Sequence, residues 1–314
     1  MALEENPSLP LLPDDLQPVF EQGWLRALLY FFAFVVVALI FQSLSLLLLS
    51  VMTGEGINAL TEAMDTSEGV HFFTYIQAFS LVGTLLVTYL FRRFIDKQPF
   101  QTLGFDYRGW LNDAMLGFLL GFALIAIGFV LLWGMGLLKV SGIGFKPLAI
   151  LLYIVLLVMV ALNEEIAVRG YMLNNLMQSL NKYTALAISS VVFAALHLLN
   201  PSFSVLSFIN IVLAGILLGV YYIHRQNLWF PIALHFAWNF FQGPVFGFEV
   251  SGVNLSGIIT QEVSGSAWLT GGEFGFEGSA ILSFLLIGAI VATEKWFNRP
   301  IPIDLAIESN SPKV

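Results

Sequence analysis

Cysteine is absent from the 314-residue chain. Disulfides, thiolate nucleophiles and Cys-ligated metals are therefore excluded. Charge is scarce as well: Asp, Glu, Lys and Arg make up 11% of the residues, against about 25% in an average soluble domain. Several hydrolytic signatures are missing. There is no His-Glu-x-x-His zinc motif and no Gly-x-Ser-x-Gly elbow. Gly-x-Ser-Gly and Gly-x-Gly-Asp, the marks of intramembrane serine and aspartyl proteases, do not occur either. No basic patch suggests nucleic acid, and no repeat of the transporter kind is visible. Hydrolysis by this chain would have to use water activated by Glu, or a metal held by His and Glu.

What fills the sequence instead is apolar: 58% of residues, against about 45–50% in soluble proteins. This composition predicts an all-α polytopic membrane protein. Runs near the roughly 20 residues that a membrane span needs cover Leu25–Met52, Phe72–Phe91, Ala114–Leu138, Pro147–Leu162 with its continuation, Thr184–Leu199, Val205–Ile223, Leu228–Phe246 and Ala280–Phe297, or about eight transmembrane helices. Orientation follows from Lys and Arg, which favour the cytoplasmic side. With the N-terminus inside, 11 of the 13 basic residues fall on the inner half, and only Lys139 and Lys146 lie outside. Glu55, Glu62, Asp65, Glu68, Glu249, Glu262, Glu273 and Glu277 then belong to outer loops. The expected location is the cell membrane, multi-pass, with both termini cytoplasmic. The net charge of −8 comes from those loops and an acidic arm, whose prolines and acids are unlike a cleaved signal peptide. The expected divisions are an arm (1–23), three helices (24–146), a core of four helices (147–247), an extracytoplasmic Gly-rich loop (248–278), a last helix (279–298) and a tail (299–314). "SGSAWLTGGEFGFEGS" within that loop reads as mobile and without a chemical role.

The stretch "ALNEEIAVRGYM" places Glu164, Glu165 and Arg169 after an uncharged run. Pro147 suits the first turn of a helix, and no turn cluster follows until "QSLNKYT". One helix to about Gln178 puts the glutamates near its middle. Glu165 lies sixteen residues before Asn181, and His197 sixteen after it. In an antiparallel hairpin they share a depth, about 24 Å from the turn. His235 and Asn239, at i and i+4, project from one face of the next-but-one helix. Each group has an ordinary reading: a satisfied core histidine, a self-neutralising Glu165–Arg169 pair, an amide gluing two helices. Together they look like a site, because buried ionisable groups in a membrane are costly and usually functional. One Arg neutralises one carboxylate and leaves the other free for general-base work. His71, at an outer helix start, and His224, beside Arg225, read as solvated.

These residues resemble a known family. "EEIAVRG", "FAALH" and "HFAWN" are similar to the EExxxR, FxxxH and HxxxN motifs of the CPBP family, which groups Rce1-type CaaX prenyl endopeptidases with bacteriocin-processing and abortive-infection-like membrane proteins. The resemblance covers roughly Pro147 to Phe246. It implies an eight-helix intramembrane endopeptidase with a cytoplasm-facing cavity, acting on a CaaX-type or other membrane-associated peptide. On this pattern Glu164 activates water with help from His197, Glu165 and Arg169 hold the constellation, and His235 and Asn239 stabilise the oxyanion. No cofactor is expected. The alternative is zinc held by Glu164, His197 and His235, disfavoured here because the sequence offers no evident partner for the second ring nitrogens. Expected partners are a peptide or membrane-protein substrate and the lipid bilayer, and no nucleic acid. The rival functions are a proton-coupled transporter and a catalytically idle membrane scaffold.

Overall fold

A computed structural model describes residues 17–64 and 69–298. The expectations for the first part of the arm, Asp65, Glu68, Arg299, Lys313 and the tail concern residues outside these.

The chain is all-α and polytopic. Among the described residues, six helices are long and apolar enough to cross a membrane. They are α1 (Gly23–Thr53), α3 (Val70–Leu90, extended by a π-helical turn to Ile95), α4 (Trp110–Gly134), α5 (Pro147–Glu165, continuing to Leu176), α8 (Val205–Arg225) and α11 (Ala280–Phe297). A short α2 (Ile57–Met64) follows α1. The continuation of α5 is a π-helix, Ile166–Leu173, and a last turn, α6 (Asn174–Leu176). The other two expected spans are shorter. α7 runs only from Lys182 to Ala195, and α9 from Trp229 to Phe240 with a π-helical extension to Val245. Asn181 caps α7 by accepting from the Thr184 amide at 3.0 Å. Its early end agrees with Asn200-Pro201, since the residue before proline avoids the helical region. α8 then starts on a capping box, Ser204 with Ser207.

The basic residues gather at one end of the bundle. There Asp96, after α3, accepts from Arg26 of α1 (3.2 Å), Arg92 (2.8 Å), Tyr171 (2.9 Å) and Asn175 (3.2 Å), locking α1, α3 and the α5 continuation together. His224 is not solvated as expected. It bonds Glu294 of α11 at 2.8 Å, and its side chain is 7% exposed.

At the opposite end lies a two-stranded sheet that the sequence did not suggest, β1 (Leu138–Ile143) paired antiparallel with β2 (Ile259–Val263). The Gly-rich stretch after it, expected as a loop, carries short helical turns. It forms α10 (Ala267–Thr270) and two 3-10 turns, Gly272–Phe274 and Phe276–Gly278. Phe274 and Phe276 plug the core, and Gly128 of α4 leaves the space that the Phe276 ring occupies. Gly271 and Gly275 take positive φ there, which side chains disfavour.

A close approach of α4 to α9 positions the site. Gly117 and Gly121 of α4 face α9, and a Cβ on either would stand 2.2 Å from the Phe230 carbonyl oxygen or 2.6 Å from that of Leu234. Small residues one turn apart let backbones come this near. They fix the height of His235, the next residue.

Candidate active site

Glu164 and Glu165 form the last turn of α5, immediately before the π-helix that carries Arg169. Their surroundings differ. Glu165 is fully buried, and its Oε1 accepts from Arg169 Nη1 and His235 Nδ1, both at 2.9 Å. Arg169 donates also to the Gly215 carbonyl at 3.2 Å and lies 4.2 Å over the Phe193 ring. Its charge is thus held by one carboxylate, one carbonyl and one aromatic face. Glu164 makes no such commitment. Its side chain is 25% exposed, and its Oε2 stands 3.9 Å from both His197 Nε2 and His235 Nε2. Those distances exceed a hydrogen bond.

His197 sits two residues beyond α7, in a turn held by its own amide on the Ala194 carbonyl. Its Nδ1 lies 2.8 Å from the Phe193 carbonyl and must donate there, so Nε2 faces the cavity as an acceptor. His235 Nδ1 donates to Glu165 by the same logic, again turning Nε2 inward. Asn239, one turn further along α9, lines the same cavity, and its amide has no hydrogen-bond partner among the described residues. All six residues singled out from the sequence therefore converge.

The cavity measures about 330 Å³. Apolar walls come from Leu157, Val160, Leu217, Leu218 and Leu234, and Gln42 and Gln77 of α1 and α3 reach it laterally. Towards the basic end the site is shut, because every residue of Ile166–Leu173 is buried. The cavity lies on the other side, roofed by Val250–Leu255 and Glu277.

The roof supplies residues that the sequence reading missed. Glu277, assigned from the sequence to an acidic outer loop, is 8% exposed. It accepts from Trp238 Nε1 (3.1 Å), the Ser251 amide (2.6 Å) and the Ser251 hydroxyl (2.8 Å). Asn200 donates to the Ser251 carbonyl at 3.1 Å. The signal that could have exposed Glu277 is the aromatic pair just before it, Phe274 and Phe276, since such rings anchor a loop in a core.

One premise about metal also changes. Both site histidines do have a partner for Nδ1, the Phe193 carbonyl and Glu165, as metal-ligating histidines normally do. The donor types fit zinc, but the spacing is open. Ligand atoms on a tetrahedral zinc with bonds of about 2.0–2.1 Å sit roughly 3.4 Å apart, not 3.9 Å. Among the described residues no group of three His, Asp or Glu side chains is placed to hold a metal.

Residues 146–241 match the family model of the type II CAAX prenyl endopeptidases, Rce1-like. Over this segment the chain is similar to that family. The match takes in a little under a third of the 314 residues and includes all six site positions. No curated protein and no solved structure matches the chain. The Rce1-like segment spans α5 to α9 and leaves out the Glu277 roof, which belongs to this chain's own C-terminal part.

Proposed function

We propose that this protein is an intramembrane endopeptidase in which Glu164 activates water without a metal. The observation that carries the reading is the division between the two glutamates. Glu165 is spent on Arg169 and His235, whereas Glu164 reaches a cavity with two imidazole nitrogens beside it. The Rce1-like segment supports a CAAX-type protease, and the apolar helices support a substrate met at a lipid bilayer.

In this mechanism Glu164 takes a proton from water, while His197 Nε2 accepts the water's other hydrogen and orients it. The hydroxide oxygen attacks the scissile carbonyl carbon, and the carbonyl π electrons move to oxygen. The Asn239 amide donates to that oxyanion. His235 joins it as an imidazolium, whose second N–H points into the cavity while Glu165 balances its charge. As the C–N bond breaks, the proton held by Glu164 passes to the departing amine. Arg169 fixes Glu165, and through it the ring plane of His235. Should zinc instead be required, Glu164, His197 and His235 would hold it, and it would lower the pKa of its bound water.

The test is purified protein in detergent or nanodiscs with fluorescence-quenched, membrane-associated peptides, CaaX-type and others. The wild type should cleave at a defined bond and Glu164→Gln should not. The Gln variant should also trap the natural substrate for identification. A wild-type preparation that cleaves nothing its Gln variant traps would favour the idle scaffold.

A further inference from the structure

We propose that the Glu277 end of the cavity is a subsite for a basic group of the substrate, a Lys or Arg side chain. The cleaved segment would then be a basic or internal one rather than a tail ending in a free carboxylate. This deepens the protease reading and rests on it.

Three donors converge on the Glu277 carboxyl, the Trp238 indole N–H on Oε1 and the Ser251 amide and hydroxyl on Oε2. Three donors directed at one carboxyl favour its charged form over the protonated acid. A carboxylate offers roughly four acceptor positions, so one remains, on Oε1. A buried carboxylate of this kind is costly unless a cation compensates it. No ion pair to Glu277 exists among the described residues, although Glu165, Asp96 and Glu294 each have one.

The rest of the cavity sharpens the point. The ionisable groups lining it are Glu164, Glu277, His197 and His235, and no Lys or Arg is among the lining residues. The nearby cation, Arg169, is already committed to Glu165, Gly215 and Phe193. A substrate carboxylate entering this space would meet two carboxylates, with no Lys or Arg to receive it and the His235 imidazolium already given to the oxyanion. An ammonium or guanidinium would supply the missing countercharge, with the apolar walls taking its alkyl stem. Trp238 ties this end to the chemistry, because it precedes Asn239 on α9.

The experiment measures binding, so that it does not depend on cleavage. Glu164→Gln protein is titrated by fluorescence anisotropy against four labelled apolar peptides. These are an amide with one central Lys, its norleucine counterpart, its Glu counterpart, and the norleucine peptide with a free C-terminal carboxylate. The Lys peptide should bind about tenfold tighter than the norleucine one, with the Glu and free-carboxylate peptides weakest. Adding Glu277→Gln should erase the Lys preference while leaving norleucine affinity in place. Adding Glu277→Asp, which keeps the charge, should retain the order. Equal binding of Lys and norleucine peptides with Glu277 intact overturns the proposal even if no Glu277 variant folds. So does tighter binding of the free carboxylate, or a Lys preference that survives Glu277→Gln. If the wild type cleaves nothing yet the Lys preference holds, the protease reading falls and the subsite stands.

Discussion

Adjacent residues on one helical turn differ here in what each can lose. Glu165→Gln would leave Arg169 buried without its carboxylate and His235 without its anchor. Breaking a buried pair costs about 3–5 kcal/mol, so we expect both a lower melting temperature and lost activity. Glu164→Gln should abolish cleavage with stability changed by less than about 0.5 kcal/mol. Thermal unfolding of both variants in detergent checks the division; equal destabilisation would refute it. The metal question is settled at the same scale. Active, purified protein should hold far less than one zinc per chain by mass spectrometry and keep its activity through prolonged chelation. Stoichiometric zinc, with activity lost on chelation and restored by zinc, would replace the glutamate mechanism. The convergence of Glu165 and His197 was legible in the sequence because equal offsets from a turn imply equal depth, and that of His235 and Asn239 from their shared helical face and the motif resemblance. The anchoring of both Nδ1 atoms was not, since one partner is a backbone carbonyl and the other a shared carboxylate. Glu277 escaped because that reasoning covered helices and not loops.

The approach of α4 to α9 sets where His235 and Asn239 stand, and it depends on two glycines. Gly121→Leu would drive a side chain into the Leu234 carbonyl and the Ala237 methyl. Overpacking of this kind costs about 1–3 kcal/mol, and an ångström of displacement at a site can cost about a hundredfold in rate. We therefore expect a large fall in cleavage with a modest fall in stability. Gly134→Leu, on the same helix with nothing within 4 Å, should leave both within about 0.5 kcal/mol of wild type. Steady-state kinetics and thermal unfolding on the pair would separate the two cases, and equal effects would mean that the contact does not position the site. The long apolar helices could be read from hydropathy to within a few residues, as for α11. α7 could not, because apolar residues continue past Ala195 while the chain already turns towards Asn200-Pro201. The strand pair was hidden because "LKVSGI" alternates too weakly to read as a strand, and its partner lies more than a hundred residues away.

For the whole molecule, the distribution of charge and the position of the cavity make opposite demands. Arg26, Arg92, Lys182, Arg225 and Lys295 mark one end of the bundle, and in bacterial-type insertion that end stays in the cytoplasm. The cavity is closed towards that end by Ile166–Leu173 and roofed from the other by Val250–Leu255 and Glu277. If charge decides, substrate reaches Glu164 from the bilayer beside Gln42 or from the outer side, not from the cytoplasm. A single cysteine resolves this, because the chain has none to confuse it. Ser264, exposed just past β2, replaced by Cys should react with a membrane-impermeant maleimide in intact cells. Labelling only after permeabilisation would invert the molecule, return the cavity to the cytoplasmic side, and make Lys and Arg the misleading signal. Cys at Ser202, exposed in the α7–α8 turn near Glu273, should follow Ser264, since both belong to the roofed end; a split result would mean that the turn and the strand pair lie on different sides and that the bundle is not threaded as described.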